Sequence, residues 1–183
     1  MTRRVRRVVL VLVVVLVGVA VAVVLVGRSK LDDSSSHVDD AWTPLQAPLA
    51  VRYLRLAAVA NAFREAGAGD RTVTRDLDRL LDKWGKERNA EDPDPEAEVV
   101  TANALEGAAR RVIAANGAGP RLQSNEQLQT AIAEFTNSAV PEPAVAAYER
   151  AVRDYQDTVD ATLWSPAARI FGYDTRPVLT LAG

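Results

Sequence analysis

From Val8 to Gly27 the chain carries no polar side chain. In a helix rising about 1.5 Å per residue, about 20 residues span about 30 Å, the thickness of a bilayer's hydrocarbon core. The run is rich in valine, a poor helix former in water. In lipid the helix is enforced, because each unpaired backbone group there costs several kcal/mol. Arg3, Arg4, Arg6 and Arg7 precede the run, the layout of a secretory signal as well as of an anchor. Two features favour the anchor. The run exceeds the apolar core of a signal peptide, and Gly27-Arg28-Ser29-Lys30 is not a small-x-small cleavage site. Gly18 has no glycine four residues away to complete a GxxxG pair, so a dimerising face is not indicated. Arg28 and Lys30 follow the run, with Asp32 and Asp33 beyond them. The cation bias therefore favours a cytoplasmic N-terminus and an extracytoplasmic domain in the cell membrane.

The whole chain has 22 Lys+Arg and 24 Asp+Glu. Without the four leading arginines the balance is 18 against 24, a net charge of −6. Such a domain lacks the clustered cations that bind phosphate backbones, so no nucleic-acid partner is expected. The chain has no cysteine. Disulfides, thiolate nucleophiles and cysteine zinc sites are therefore excluded. His37 is the only histidine and lies beside Asp39 and Asp40. It reads as a solvated linker residue.

The expected organisation has three parts. Residues 1–27 form a basic N-terminus and transmembrane anchor, meeting the lipid bilayer through 8–27. Residues 28–45 form a polar, flexible juxtamembrane tether, and 46–183 form a helical bundle. Apolar positions recur three and four apart throughout the last part, with no strand-like alternation. A first helix is expected from Gln46 to Ala66, with Leu49, Leu56 and Phe63 seven apart and a glycine cap at Gly67. A second runs from Thr72 to Asn89 on Val73, Leu77, Leu80 and Trp84. A third covers Pro95 to Ala115, with Asp94 as N-cap and Pro95 in its first turn. Its stripe is Val99, Ala102, Leu105, Ala109 and Val112. A fourth starts near Ser124, where Ser124-x-x-Gln127 fits a capping box. The last long helix carries Val145, Tyr148, Val152, Tyr155, Val159 and Thr162 at heptad spacing, and a short turn from Ala167 to Phe171 follows. The expected fold is thus all-α: one N-terminal transmembrane helix, then an antiparallel bundle of three to four long helices.

The C-terminal third resembles the LemA family. That family's last helix carries two Tyr-Asn pairs seven residues apart, with a valine between them. Here Tyr148-Glu149 and Tyr155-Gln156 stand at that spacing around Val152 and Arg153, with Glu149 and Gln156 replacing the asparagines. Ala168-Arg169-Ile170-Phe171-Gly172-Tyr173 follows in register with the family's segment of alanine, a basic residue, two apolar residues and Gly-Phe. Upstream, Pro120-Arg121-Leu122-Gln123-Ser124-Asn125 is similar to the family's Pro-x-Leu-x-x-Asn pattern. The resemblance covers roughly residues 105–175. It implies a single-pass membrane protein with a helical bundle, in a family whose relatives are associated with membrane metalloproteases and envelope stress.

No catalytic set accompanies this pattern. HExxH is absent, no Gly-rich phosphate loop follows a strand, and no second histidine could complete a triad or a metal site. No enzymatic activity, cofactor or metal is expected. The candidate interaction or structural residues are Tyr148, Glu149, Val152, Arg153, Tyr155, Gln156, Gly172 and Tyr173. At d positions the two tyrosine rings are expected in the core, each hydroxyl finding a partner near its edge. The expected function is a scaffold or adaptor contacting an unidentified membrane or envelope protein. The alternative is an extracytoplasmic sensory or ligand-binding domain. A sensor needs an output module across the membrane, and seven residues before Val8 are too few for one, which favours the adaptor.

Overall fold

The computed structural model describes residues 3–117, 119–161 and 172–181, with the backbone alone for 3–17 and 19–25. Among the described residues every regular element is helical. The first helix, α1, spans Arg3–Phe63. It continues into a π-helical turn at Arg64–Ala68. Then follow α2 (Thr72–Arg88), α3 (Pro95–Asn116), the single turn α4 (Pro120–Gln123), α5 (Glu126–Thr136) and α6 (Glu142–Asp160). The apolar run falls within α1. Most of its side chains lie outside the described residues, and so does the anchor inferred from them. Among the described residues no helix is long and apolar enough to cross a membrane.

The segment expected as a flexible tether is helical instead. Residues 28–45 are helical and belong to α1. The reason is a stripe concealed by its polar surroundings. Leu31, Val38, Trp42, Leu45, Leu49, Leu56, Val59 and Phe63 are all buried, and from Val38 onward they fall on one register of alternating three and four. Arg28, Asp32, Asp33, Ser36, His37 and Asp40 occupy the exposed faces. Pro44 and Pro48 lie inside the helix. Each removes one helical N–H donor, so the tertiary contacts of the stripe outweigh the local cost of both prolines.

The chain divides into two compact units, Met1–Val38 with Ala151–Arg176 and Asp39–Arg150 with Pro177–Gly183. In the first, Leu31 is fully buried, and Val159 and Tyr173 pack against it. Arg176 Nη2 donates to Ser35 Oγ at 2.7 Å, and the Tyr173 hydroxyl bonds Asp32.

In the second unit, cross-helix bonds give the directions. Trp42 pairs with Glu98 and Arg52 with Glu106, so α1 and α3 run parallel. Arg64 pairs with Asp78, while Arg88 reaches the Gln46 carbonyl, so α2 runs opposite to α1. Gln127 bonds Glu65, Arg52 bonds Ser138, and Trp42 packs on Tyr148. Helices α5 and the start of α6 therefore descend α1 as one interrupted column. The result is an up-down-up-down bundle.

Local signals explain most boundaries. Asp94 accepts from the Glu96 amide at 3.0 Å and from the Ala97 amide at 3.3 Å. Pro95 occupies the first turn of α3, where its missing N–H costs nothing. All five residues of the α3 stripe are buried. On α2, Leu77 and Trp84 are buried, whereas Val73 and Leu80 are only half-buried. Gly67 has φ +79°, but inside the π-helical turn rather than after a plain α-helical end. The expected capping box at Ser124 is not formed. Asn125 is the N-cap, accepting from the Leu128 amide at 2.9 Å, and Ser124 closes α4 instead. Asparagine at the next position caps at least as well as serine, which moves the start by one residue. Thr162 and the turn expected over 167–171 lie outside the described residues.

Candidate functional site

The stripe register that buries Leu49 and Leu56 places Arg52 on the same face of α1. Arg52 is 4% exposed. Its guanidinium makes a bidentate pair with Glu106 of α3, Nε to Oε1 at 2.7 Å and Nη2 to Oε2 at 2.9 Å. Glu106 is fully buried. The third nitrogen, Nη1, donates to the Ser138 carbonyl at 2.8 Å and to the Phe135 carbonyl at 3.4 Å. These carbonyls lie at the end of α5, where a helix leaves acceptors unfilled and a cation is favoured. The guanidinium carbon also sits 4.3 Å from the centroid of the Phe135 ring. One side chain thus neutralises a buried carboxylate, caps a helix and covers an aromatic face.

A second buried carboxylate lies nearer the start of α3. Glu98 Oε2 accepts from the Trp42 indole at 2.7 Å and from the Gln46 amide at 3.0 Å. Between these groups, Tyr53 donates to the Ala102 carbonyl at 3.3 Å and meets the edge of Trp84, with centroids 4.9 Å apart at 84°. Burial, followed by the nearby charge of Glu106, pushes the Tyr53 phenol far above its ordinary range. It stays neutral at any physiological pH. Arg52, Glu98 and Glu106 are each hydrogen-bonded to neighbours within the bundle. Among the described residues no group of three or more carboxylate or imidazole side chains is placed to hold a metal ion.

The residues singled out in sequence take structural places. Tyr148 is buried, packs against Trp42 with centroids 5.4 Å apart, and donates to the Pro177 carbonyl at 2.8 Å. Tyr155 is buried and donates to the Asp174 carbonyl at 2.9 Å. Val152 is fully buried. Glu149 is half-buried and Arg153 exposed. The Gln156 amide reaches the Arg176 carbonyl at 3.4 Å. Gly172 has φ +73°, where the chain enters the non-helical segment that begins with Tyr173. The tyrosine hydroxyls do find partners, and those partners are backbone carbonyls of that segment. Arg52, Glu98 and Glu106 were missed in sequence, where charge within a helix reads as a solvated face. The signal that could have found Arg52 was the heptad register, which puts it three residues after Leu49 and four before Leu56.

The surface carries one feature of another kind. Between α1 and α2 lies a groove of about 430 Å³ lined by Ala50, Tyr53, Leu54, Ala57, Leu81 and Trp84, together with the polar Arg88 and Asn89. Leu54 is 73% exposed, and Val51, one turn earlier, is 52% exposed. A β-carbon added at Gly85, also in the groove, would meet nothing within 4 Å.

The fold and this site define a helical bundle whose apolar core encloses internally bonded polar groups, with a largely apolar groove on one side. No family model matches the chain, and no curated protein does.

Proposed function

We propose that this protein is a membrane-anchored scaffold or adaptor of the bacterial cell envelope, related to the LemA family and without enzymatic activity. The observation that carries the reading is the α1–α2 groove with Leu54 and Val51 exposed beside it. Exposed aliphatic side chains beside a largely apolar groove are suited to a protein partner, since burying them adds roughly 25 cal/mol per Å². The uncharged run from Val8 to Gly27 supports anchoring, and the arginines before it support an extracytoplasmic bundle. Tyr148, Tyr155 and Gly172-Tyr173 support the family reading through their spacing.

Two measurements test this. The chain has no cysteine, so Ser36→Cys introduces a single thiol at an exposed position. Ser36 is preferable to Ser35, whose hydroxyl accepts from Arg176. A membrane-impermeant maleimide should label intact cells. Labelling only after permeabilisation would place the bundle inside and sink the orientation. A photo-crosslinking residue at Val51 should join the protein to a membrane or envelope protein, and Leu54→Asp should abolish that adduct. Adduct formation indifferent to Leu54→Asp would remove the groove from the reading.

A further inference from the structure

Residues 173–181 form no helix, yet part of this segment is bound as a ligand would be. Within the unit that holds α3 and the start of α6, the Asn103 side chain contacts it twice. Nδ2 donates to the Val178 carbonyl at 2.7 Å, and the Thr180 amide donates to Oδ1 at 2.7 Å. Carbonyl and amide on either side of one residue are the pair that a neighbouring parallel strand engages. The Asn103 carboxamide therefore stands in for a strand. The Tyr148 hydroxyl takes the preceding carbonyl, that of Pro177, at 2.8 Å. Between the Asn103 contacts Leu179 is 3% exposed, whereas Val178 is 45% exposed and Thr180 faces solvent. Alternation of period two is what an extended chain presents to a surface.

All three of these polar contacts go to the main chain. None reads a side chain, and a single buried position accepts leucine. This is the logic of strand-addition recognition, in which backbone bonds give affinity and alternate pockets give specificity. We propose that the Asn103–Tyr148 face is a peptide-recognition site, filled in this chain by its own residues 177–181. In trans it accepts an extended segment of a partner polypeptide carrying proline, then leucine two residues later. The occupant is argued from the bound segment itself, whose contacts define what fits. Its attachment to the same chain gives it an effective concentration on the order of millimolar, so it acts as a built-in competitor. This face is separate from the α1–α2 groove, which would stand if the peptide site failed, because Val51 and Leu54 belong to another helix face.

The test uses the full chain and a fluorescent peptide of residues 175–183. Leu179→Asp should eject the internal segment and allow saturable peptide binding, read by anisotropy. Wild type should bind weaker by about tenfold or more, because its site is occupied. Adding Asn103→Ala to Leu179→Asp should abolish binding. A folded Leu179→Asp chain that binds no peptide would overturn the proposal, as would binding indifferent to Asn103. Wild type supplies a second readout should Leu179→Asp misfold. Several millimolar unlabelled peptide, a concentration on the order of that effective concentration, should accelerate hydrogen exchange at the Thr180 amide by freeing it from Asn103. Unchanged exchange would show that the segment is a fixed strap and sink the proposal.

Discussion

Arg52 shows how one residue can be both anomalous in sequence and central in the interior. An arginine inside a core is costly unless its donors are used, and here the guanidinium meets Glu106, Phe135 and Ser138. Removing it leaves Glu106 buried without its partner. Arg52→Ala should therefore lower unfolding free energy by about 3–5 kcal/mol in urea melts. Replacing both members, as Arg52→Met with Glu106→Leu, should recover much of that loss, because a buried pair is often matched by apolar residues of similar volume. A double variant as unstable as the single one would mean that the cap on α5, rather than the ion pair, dominates.

Tyr53 makes a pH prediction of definite sign. Its folded pKa lies above the ordinary unfolded value of about 10. The stabilisation is complete below pH ~10 and is lost as pH rises above it, because the unfolded chain then releases a proton that the folded chain keeps. Wild type should lose about 1.4 kcal/mol per pH unit above pH ~10 from this residue. Denaturation of wild type and Tyr53→Phe between pH ~8 and ~11 checks this, the variant being expected to show the shallower decline. The Tyr53 hydroxyl bonds the Ala102 carbonyl, and Tyr53→Phe removes that bond. At neutral pH the variant should accordingly be less stable by about 0.5 to about 1.5 kcal/mol, the net worth of one hydrogen bond.

At the scale of elements, α3 was the most legible, since Asp94-Pro95 marks its start and its stripe is uninterrupted. α2 was nearly as clear. α1 was not, because Ser35 falls on the apolar register four residues past Leu31, and Pro44 and Pro48 are breakers by any local rule. Tertiary burial of Leu31, Val38, Trp42 and Leu45 overrode both signals. That information sits in the partner helices and is invisible to a local reading. Tyr148, Val152 and Tyr155 were legible as core positions. Their hydroxyl partners were not, since nothing local says that an extended segment returns to α6. The π-helical turn after α1 yields its own prediction. Gly67 holds a φ of +79°, and the space around it is open. A β-carbon is strained there whatever the space, because left-handed backbone crowds it. Gly67→Ala should cost about 1–3 kcal/mol and leave helix content unchanged by circular dichroism.

At the scale of the molecule, the two units differ in what they bring together. One joins residues 28–38 to the end of α6 and the segment beyond it, while the other is the four-column bundle. The Tyr148 and Tyr155 hydroxyls serve one in each, both bonded to carbonyls of the same extended segment. Tyr148→Phe and Tyr155→Phe should therefore each raise hydrogen exchange near their own attachment points, around 177 and 174 respectively. Equal effects of both variants at both points would show that the segment is released as one piece.

The bond from Arg52 to Ser138 joins residues 86 positions apart, and that from Trp42 to Glu98 joins residues 56 apart. Because α1 precedes the columns it pairs with, it waits for its partners during synthesis. At roughly 5–20 residues per second, seconds pass between the emergence of Arg52 and that of Ser138. Until α3 emerges with Glu106, 54 positions after Arg52, the apolar stripe of α1 is incompletely covered and carries that charge in its middle. That charge keeps the stripe from being uniformly sticky and gives the nascent helix a solvated break where self-association would otherwise begin. Arg52→Met with Glu106→Leu, which leaves no lone carboxylate in the finished core, should then fold once complete but aggregate more during translation.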